Sequence, residues 1–277
     1  AMTFELIKVF PKQGGTFQIE PDASSGSYFW AASDPQLEQK SEGSTGNMFT
    51  LSGTWNSTVK VFNWPATKWQ IDANFPLHLA RLTMHRLPLF GSQQVIGIEK
   101  DISQLLGGIS REEQDPEYQK YLEQFDSQHG QPKISRKNDL GDSVMTAIVL
   151  APLCYYSMQF TELSRLRVQE CERVVALRTE LTKCGAKAIE EGDTLTVYPS
   201  QLHGAEIETY NDHRMAMCFS ILGLKVPGIK IKNPACVKKT FPNFFQKLAA
   251  RPPHGLGAKI LDGKTGRTLT HEELFAD

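Results

Sequence analysis

The residues best suited to chemistry stand directly before segments with a helical, apolar pattern. Residues 211–220 read Asn-Asp-His-Arg-Met-Ala-Met-Cys-Phe-Ser, so that an acid, an imidazole and a guanidinium lead into an apolar run. Backbone N–H groups at a helix N-terminus are unpaired, and with the helix dipole they favour bound negative charge. His213 and Arg214 at such a position indicate a site for a carboxylate or a phosphate.

Two more cations occupy related positions elsewhere in the chain. Arg173 falls in the first turn of a helix predicted to begin at Gln169-Glu170, and Lys239 stands just before another predicted helix start. Because related units place these cations alike, we expect a compact fold to bring them together beside Asp142, which precedes a further helix. Each residue also has a simpler interpretation in isolation. Asp142 would be an N-cap, Glu170 and Arg173 a solvated helix pair, and the remaining three ordinary surface side chains: His213, Arg214 and Lys239.

The spacing of the predicted helix starts reveals an internal repeat. From Asp142 to Gln169 is 27 residues and from Asp212 to Lys239 is also 27, while the first members of the two pairs are 70 apart, as are the second. Fixed spacing indicates one supersecondary unit used several times. A first copy, with starts at Asp22-Ala-Ser-Ser and Gln70-Ile-Asp72, fits once insertions are removed.

The repeating unit is predicted to be mixed α/β. In the second copy a helix at 168–184, capped by Gly185, precedes a hairpin with strands 186–189 and 194–198. The predicted elements of the third copy are a helix, a strand and a helix: residues 213–224, 228–232 and 240–250.

Composition suggests where the repeat is interrupted. Residues 33–53 are rich in Ser, Gly, Gln and Glu, and residues 100–139 are acidic and rich in Gln, so both are predicted to be surface insertions. The predicted organisation is the end of a preceding domain or a linker at 1–20, a domain at 21–250, and a tail at 251–277 outside the repeat.

Charge and composition restrict the classes of partner. A net charge of −1 gives little electrostatic support for nucleic-acid binding, and no apolar run approaches the length of a membrane span. We therefore expect no nucleic-acid partner, no membrane partner and a cytoplasmic location. Histidines without i, i+4 pairing predict no metal site, and five unpaired cysteines are predicted to be reduced packing residues. The phosphate-loop-like match at 258–265 lacks a preceding buried strand.

Five ordered blocks resemble the 5-enolpyruvylshikimate-3-phosphate synthase family. The most distinctive are Asn-Asp-His-Arg-Met-Ala-Met at 211–217 and Lys-Thr-Phe-Pro-Asn-Phe-Phe at 239–245. Further blocks lie at 22–29, 140–146 and 166–173. The resemblance implies an α/β fold of the enolpyruvyl transferase type, built from three βαβαββ-type repeats in an inside-out, barrel-like arrangement as one of two domains. It covers only the C-terminal half of such an enzyme, so a missing N-terminal domain is an expected partner.

The resemblance also implies an activity and roles for residues. The family transfers the enolpyruvyl group of phosphoenolpyruvate to the 5-hydroxyl of shikimate 3-phosphate, in aromatic amino acid biosynthesis, with no cofactor. Asp142 would accept the hydroxyl proton and Glu170 would protonate the methylene carbon. Cations around Asp142 are expected to keep it ionised, and crowding by the substrate carboxylate to favour a protonated Glu170. The residues expected to hold the substrates are Arg173, His213, Arg214, Lys239 and Gln169.

Three positions depart from the family pattern. Gln169 stands where the family usually has Lys, Arg165 where it has Asn, and Ile71 where it has Gly. The first change removes a charge-assisted hydrogen bond, at a cost of about 1–3 kcal/mol in phosphoshikimate binding. The alternative from another class is a non-catalytic anion-binding or regulatory domain derived from the enzyme. A transferase acting on a UDP-sugar is disfavoured, because the Asp-His-Arg and Lys-Thr-Phe-Pro blocks are absent from that group.

Overall fold

Three helices, one from each predicted repeat, pack against each other at the centre of the protein. The computed structural model describes residues 7–13, 16, 20–33, 65, 69–84, 132–154, 156–252 and 254–277. The central helices are α1 (Ala23–Ser33), α3 (Val144–Leu150) and α5 (His213–Gly223), and each contacts the other two. All residues of α3 are buried, as are nine of the eleven residues of α5. Helices that are apolar on every side belong in an interior, which explains this position.

Small polar side chains occur where the three helices meet. The hydroxyl oxygens of Ser27 in α1 and Thr146 in α3 are 3.2 Å apart, and Thr146 Oγ1 is 3.7 Å from Cys218 Sγ in α5. All three side chains are almost fully buried. Close approach of helices requires small residues at the line of contact. The Ser27 hydroxyl is also hydrogen bonded outside the row, since it donates to the carbonyl of Ser24 at 2.7 Å.

The second repeat forms a complete βαβαββ unit. Its elements are β1 (Lys133–Ser135), α3, β2 (Met158–Thr161), α4 (Arg173–Lys183), β3 (Ala188–Glu191) and β4 (Thr194–Val197). The strands form one sheet in the order β1-β2-β4-β3, with β1 parallel to β2 and the other pairs antiparallel. The predicted hairpin is therefore confirmed. The chain leaves α4 through Gly185, whose φ of +92° suits a residue without a side chain.

The third repeat reproduces the first part of this pattern. Strand β5 (Glu206–Ile207) leads into α5 and then into β6 (Lys230–Ile231), which pairs in parallel with β5. A 3-10 helix at Pro234–Lys239 comes next, followed by α6 (Phe244–Ala249). Helix α6 thus begins four residues later than the helix predicted at 240–250, because the 3-10 helix continues to Lys239 and the backbone at Thr240 and Asn243 is not helical.

The first repeat is described only at its helices. Besides α1 it contributes a 3-10 turn at Ile71–Asn74 that continues into α2 (Phe75–Met84), as the predicted start at Gln70 requires. The Gln70 amide ties the two segments together, since its Oε1 accepts from the backbone N–H of Ala23 at 2.9 Å. The remaining 3-10 helices are Ala151–Leu153, Ser164–Val168 and Glu272–Leu274.

The structure places two segments differently from the prediction. Strand β1 lies inside the segment 100–139 that was predicted as a surface insertion, so a surface excursion does not describe residues 133–135. The segment 251–277, predicted to lie outside the repeat, packs against the third copy: the backbone N–H of Ala276 donates to the carbonyl of Pro242 at 2.9 Å. An antiparallel bridge joins Leu261 and Thr268. The insertion predicted at 33–53 lies almost entirely outside the described residues. Within the described ranges, no helix has the length and apolar character required to cross a membrane.

Candidate functional site

Asp142 lies in the loop before α3 and faces two guanidinium groups. Ser143 occupies the N-cap position of the helix, without a side-chain capping bond, so the interpretation of Asp142 as the N-cap is wrong. Arg136 Nη2 is 2.8 Å from one carboxylate oxygen and Arg214 Nε is 3.4 Å from the other. Burial alone would raise the pKa of Asp142, but the charges of Arg214 and Arg136 hold it below its ordinary value. Asp142 is therefore ionised at neutral pH, as the predicted convergence of cations requires.

Arg173, the first residue of α4, is a buried cation with a buried partner. Its side chain is 2% exposed, so the alternative of a solvated pair with Glu170 is wrong. Arg173 Nε donates to Asp212 Oδ2 at 2.6 Å and Nη2 donates to Oδ1 at 3.2 Å. Asp212 also caps α5 by accepting from the backbone N–H of Arg214 at 2.8 Å. Burial would raise the pKa of Asp212, but the bonds from Arg173 lower it.

Gln169 connects the two carboxylate–guanidinium groups. Its Oε1 accepts from Arg173 Nη1 at 2.6 Å, and its Nε2 lies 3.4 Å from Asp142 Oδ2. The direct distance from Arg173 Nη1 to the same oxygen is 3.8 Å. An amide offers both an acceptor and a donor, whereas the lysine of the family pattern offers donors only and would add a cation beside Arg173. Gln169 therefore suits a bridging position that lysine cannot fill in this arrangement.

Arg214, in the first turn of α5, joins the third repeat to the first. Its Nη2 donates to Ser24 Oγ at 3.1 Å, and Ser24 donates in turn to Asp22 at 2.8 Å from its hydroxyl and 3.1 Å from its backbone. Burial would lower the pKa of Arg214, but Tyr28, Asp142 and Asp22 raise it well above its ordinary value. Arg214 stays charged at any ordinary pH, half-buried rather than on the surface.

The carboxylate of Asp72, from the first repeat, lies near Asp142 at the start of α3. Asp72 Oδ1 accepts from the backbone N–H of Ser143 at 2.7 Å, and burial raises the pKa of Asp72. A Cβ atom built on Gly141 would lie 2.5 Å from Asp72 Oδ2. Glycine is therefore required at 141, because any side chain there would displace the carboxylate that holds the start of α3.

Glu170 and Lys239 form a separate ion pair toward solvent. Lys239 Nζ donates to Glu170 Oε2, with side chains 56% and 31% exposed. This bond, with the charge of Lys239, holds the pKa of Glu170 below its ordinary value. The protonated Glu170 expected from crowding by a substrate carboxylate therefore requires Lys239 to be drawn away from it.

His213 lies between this ion pair and the buried residues. The side chain is 5% exposed, and its Nδ1 is 4.0 Å from Asp212 Oδ1 with no hydrogen-bond partner in the described part of the chain. Burial lowers the pKa of His213, which favours the neutral ring at pH 7. A neutral imidazole with a free nitrogen can act as a supporting hydrogen-bond donor or acceptor.

The structure thus brings the predicted residues into two adjoining groups. Asp142, Gln169, Arg173 and Arg214 form the buried group, and Glu170 with Lys239 forms the exposed pair, with His213 adjacent. The guanidinium groups of Arg173 and Arg214 and the ammonium group of Lys239 can each form charge-assisted bonds with an organic anion. Among the described residues, no three His, Cys, Asp or Glu side chains are grouped so as to hold a metal ion.

Four residues around the group formed by Asp142, Gln169, Arg173 and Arg214 were not predicted as site residues: Arg136, Ser24, Asp72 and Asp212. Arg136 falls in the segment assigned to an insertion, whereas Asp212 stands in the most distinctive motif and was interpreted only as a helix start. Cys171 is free and packs against the core, as predicted, and it also donates to Asp212 at 3.5 Å. The other four cysteines are free and buried. Only Asp212 carried a local signal, since it directly precedes α5; Ser24 lies inside α1, Asp72 inside the 3-10 turn Ile71–Asn74, and Arg136 directly after β1.

Known proteins provide a comparison for this arrangement. A 110-residue stretch is 44% identical to the 3-phosphoshikimate 1-carboxyvinyltransferase of Nostoc punctiforme, covering 40% of this chain and 26% of the relative. The enzyme of the same name from Proteus mirabilis is 45% identical over 114 residues, covering 41% and 27%. The structure of the EPSP synthase from Acinetobacter baumannii matches with a TM-score of 0.37 and 28% identity over 40% of this chain and 27% of that one.

Membership of a family follows from the extent of the match. The chain spans about a quarter of the length of the curated relatives it matches. Residues 93–248, more than half of the chain, match the family described as EPSP synthase (3-phosphoshikimate 1-carboxyvinyltransferase). This range includes the complete βαβαββ unit and the start of every helix that contributes a predicted site residue. The chain therefore belongs to the EPSP synthase family and has its α/β, enolpyruvyl transferase-type fold.

Proposed function

We propose that this chain supplies part of the site of a 3-phosphoshikimate 1-carboxyvinyltransferase, a cytoplasmic enzyme. The reaction transfers the enolpyruvyl group of phosphoenolpyruvate to the 5-hydroxyl of shikimate 3-phosphate. The observation that carries the proposal is the meeting of Asp142 and Gln169, from the second repeat, with Arg214, from the third repeat, in a chain of this family. Such an arrangement combines an ionised base with fixed positive charge.

In the proposed mechanism two carboxyl groups move protons. The carboxylate of Asp142 accepts the proton of the attacking 5-hydroxyl, and Glu170, once protonated, delivers a proton to the methylene carbon of phosphoenolpyruvate. The tetrahedral adduct then returns a proton from its methyl group to the Glu170 carboxylate as the C–O bond to phosphate breaks, which re-forms the double bond, and the departing phosphate takes the proton held by Asp142. Arg173, Arg214 and Lys239 hold the carboxylate and phosphate of phosphoenolpyruvate, because guanidinium and ammonium groups form charge-assisted bonds with both.

Two residues complete the proposed site. His213 serves as a supporting hydrogen-bond partner through its unpaired Nδ1. Gln169 contacts phosphoshikimate only weakly in this scheme, since both ends of its amide are already engaged by Arg173 and Asp142. We therefore expect phosphoshikimate binding to depend more strongly on the partner half of the site than phosphoenolpyruvate binding does.

The proposed organisation includes a second polypeptide segment. A domain at 21–250, preceded by the end of another domain at 1–20 and followed by a tail at 251–277, would form one side of a cleft. An N-terminal domain would supply the other side.

Reconstitution tests the proposed activity. This chain, mixed with an N-terminal domain of the family, should release inorganic phosphate only when both substrates are present. The Asp142→Asn variant, which keeps the shape and removes the base, should lower kcat by about 10²–10⁴-fold. Arg178→Lys, on the exposed side of α4, is the control and should leave kcat unchanged.

Calorimetry separates the main alternative, a non-catalytic anion-binding or regulatory domain. That alternative is supported if the mixture binds phosphoenolpyruvate while every N-terminal partner fails to give turnover. Full turnover by Asp142→Asn would instead remove the base assignment without affecting the binding assignments.

A further inference from the structure

One buried carboxylate of α4 takes no part in the proposed chemistry. Glu180 has no exposed surface, and it lies seven residues after Arg173 on the same helix. Seven residues are close to two helical turns, so the two side chains lie on one face of α4. That face therefore carries a buried cation at its beginning and a buried anion two turns later.

Glu180 is hydrogen bonded to the segment that leads into α5. Its carboxylate accepts from the backbone N–H of Glu208 at 3.1 Å and from the hydroxyl of Tyr210 at 2.7 Å. Lys183, on the same helix, donates to both carboxylate oxygens at 2.8 Å. Burial and the neighbouring Glu180 raise the pKa of the Tyr210 hydroxyl, so this group remains a donor.

The segment that Glu180 contacts has an unfavourable backbone conformation. Tyr210 and Asn211 have φ angles of +54° and +55°, and the carbonyl of Thr209 accepts from the backbone N–H of Asp212 at 2.9 Å. Positive φ at both central residues is the arrangement of a type I′ turn. Asparagine tolerates it, but tyrosine rarely adopts it because its Cβ crowds the following carbonyl. The turn therefore depends on contacts from outside, and Glu180 makes two of them.

The turn ends at the residue that holds Arg173. Arg173 binds Asp212 while Glu180 binds positions 208 and 210, so one face of α4 fastens the segment 208–212 at two points. We propose that Glu180 is a positioning residue: it holds the turn at Tyr210 so that Asp212 can receive both hydrogen bonds from Arg173 and fix that guanidinium in the site. Only the consequence for ligand affinity rests on the proposed function.

The test removes one hydroxyl and observes Arg173 directly. The Nε–H of Arg173 is buried and hydrogen bonded, so in the complete chain it should give a slowly exchanging NMR signal, identified by its loss in Arg173→Lys. In Tyr210→Phe the exchange of this signal should become about fivefold faster, the factor for a hydrogen bond of about 1 kcal/mol. Affinity for phosphoenolpyruvate should fall by a similar factor. Glu180→Gln should have the larger effect on both.

The control is Tyr198→Phe, which removes a hydroxyl next to the hairpin and should leave the Arg173 signal and the affinity unchanged. A purely structural role for Glu180 would lower the melting temperature of Tyr210→Phe while the Arg173 exchange rate under native conditions stayed the same, and this result would overturn the inference. So would the absence of a protected Arg173 signal in the unmodified chain. If the signal behaves as expected but phosphoenolpyruvate does not bind, the positioning stands and the proposed function fails.

Discussion

The site contains two ion pairs, Arg173–Asp212 and Lys239–Glu170, which have the same chemistry but differ in their exposure to solvent. In the buried pair, the side chains of Arg173 and Asp212 are 2% and 0% exposed and meet through two hydrogen bonds. In the exposed pair, Lys239 and Glu170 are 56% and 31% exposed and meet through one. The first pair is almost completely removed from solvent, whereas water competes for the second.

Because of this difference, the two pairs should differ in the stability lost when one partner is removed and in how readily the cation can bind a ligand. Removing one member of a buried pair leaves an uncompensated charge in a poorly polarisable interior, while an exposed charge regains water. We infer that the buried pair fixes geometry and that the exposed pair can exchange partners readily. Lys239 is thus the cation best placed to leave its carboxylate for a ligand.

Removing the charge of Asp212, the anion of the buried pair, is the strongest test of the difference between the two pairs. Asp212→Asn retains the shape of the side chain but leaves Arg173 without its nearest counter-charge, so we expect the free energy of unfolding to fall by about 3–5 kcal/mol. Urea denaturation measures this change. The control is Glu273→Gln, which breaks an exposed pair with Arg267 and should produce no measurable change. A loss below about 1 kcal/mol for Asp212→Asn would show that the buried and exposed pairs do not differ.

Replacing Arg173 by lysine keeps the positive charge of the buried pair and tests the geometry of its hydrogen bonds. Arg173→Lys cannot make two directed hydrogen bonds to Asp212, so the free energy of unfolding should fall by about 2 kcal/mol. Arg178→Lys is the matched control on the same helix, since Arg178 is 42% exposed where it meets Glu190, and it should change stability by less than about 0.5 kcal/mol. Equal effects of the two substitutions in urea denaturation would contradict the distinction.

The pH dependence of stability sharpens the comparison further. Asp142 faces Arg136, Arg173 and Arg214, with Asp72 behind it, and its folded-state pKa is below the unfolded value. A group with a lowered pKa adds stability that is complete above the unfolded value of about 3.9 and is lost as the pH falls through the folded value.

Unfolding free energies measured between pH 6 and pH 2.5 should therefore decline less steeply in Asp142→Asn than in the unmodified chain. A parallel decline in both proteins would mean that the surrounding cations do not stabilise the ionised carboxylate.

The smallest effect on stability is expected at the exposed pair. Lys239→Met should change the free energy of unfolding by about 0.5 kcal/mol or less, because the side chain is largely solvated. Its effect on binding should be greater: losing a charge-assisted bond should weaken phosphoenolpyruvate about tenfold in calorimetry. Lys232→Met, which breaks another exposed pair, is the control for nonspecific charge loss. Equal affinities of the two variants would contradict a binding role for Lys239.

Much of the fold could be predicted because its signals are local. Cap-capable residues before apolar runs identified the starts of the three central helices, whereas α4, predicted at 168–184, begins only at Arg173, where the side chain of Glu172 caps it. The constant spacing between the predicted starts identified a repeat that the sheet topology of the second and third copies reproduces. The start of α6 was misplaced by four residues, since the 3-10 turn before it depends on the packing of Cys236 and Val237 rather than on a sequence pattern.

The site was predictable to the extent that its residues stand beside helix starts. Asp142, Arg173 and Arg214 do so, and the structure groups them. The missed contacts are long-range: Ser24 and Arg214 are 190 residues apart, and Asp72 and Ser143 are 71 apart. No pattern within a single segment encodes such partners. The turn at Tyr210 was also missed, because tyrosine is not a residue that signals positive φ.

The row formed by Ser27, Thr146 and Cys218 has a consequence for redesign of this protein. All three lie within the first two turns of helices whose leading ends carry the charged groups. A bulkier residue in any of these positions would act as a wedge, spreading the helices and altering the distances among charges that it never touches. Engineers who wish to widen or narrow the anion-binding region can therefore substitute these interior positions, where neutral side chains of two or three heavy atoms determine its dimensions.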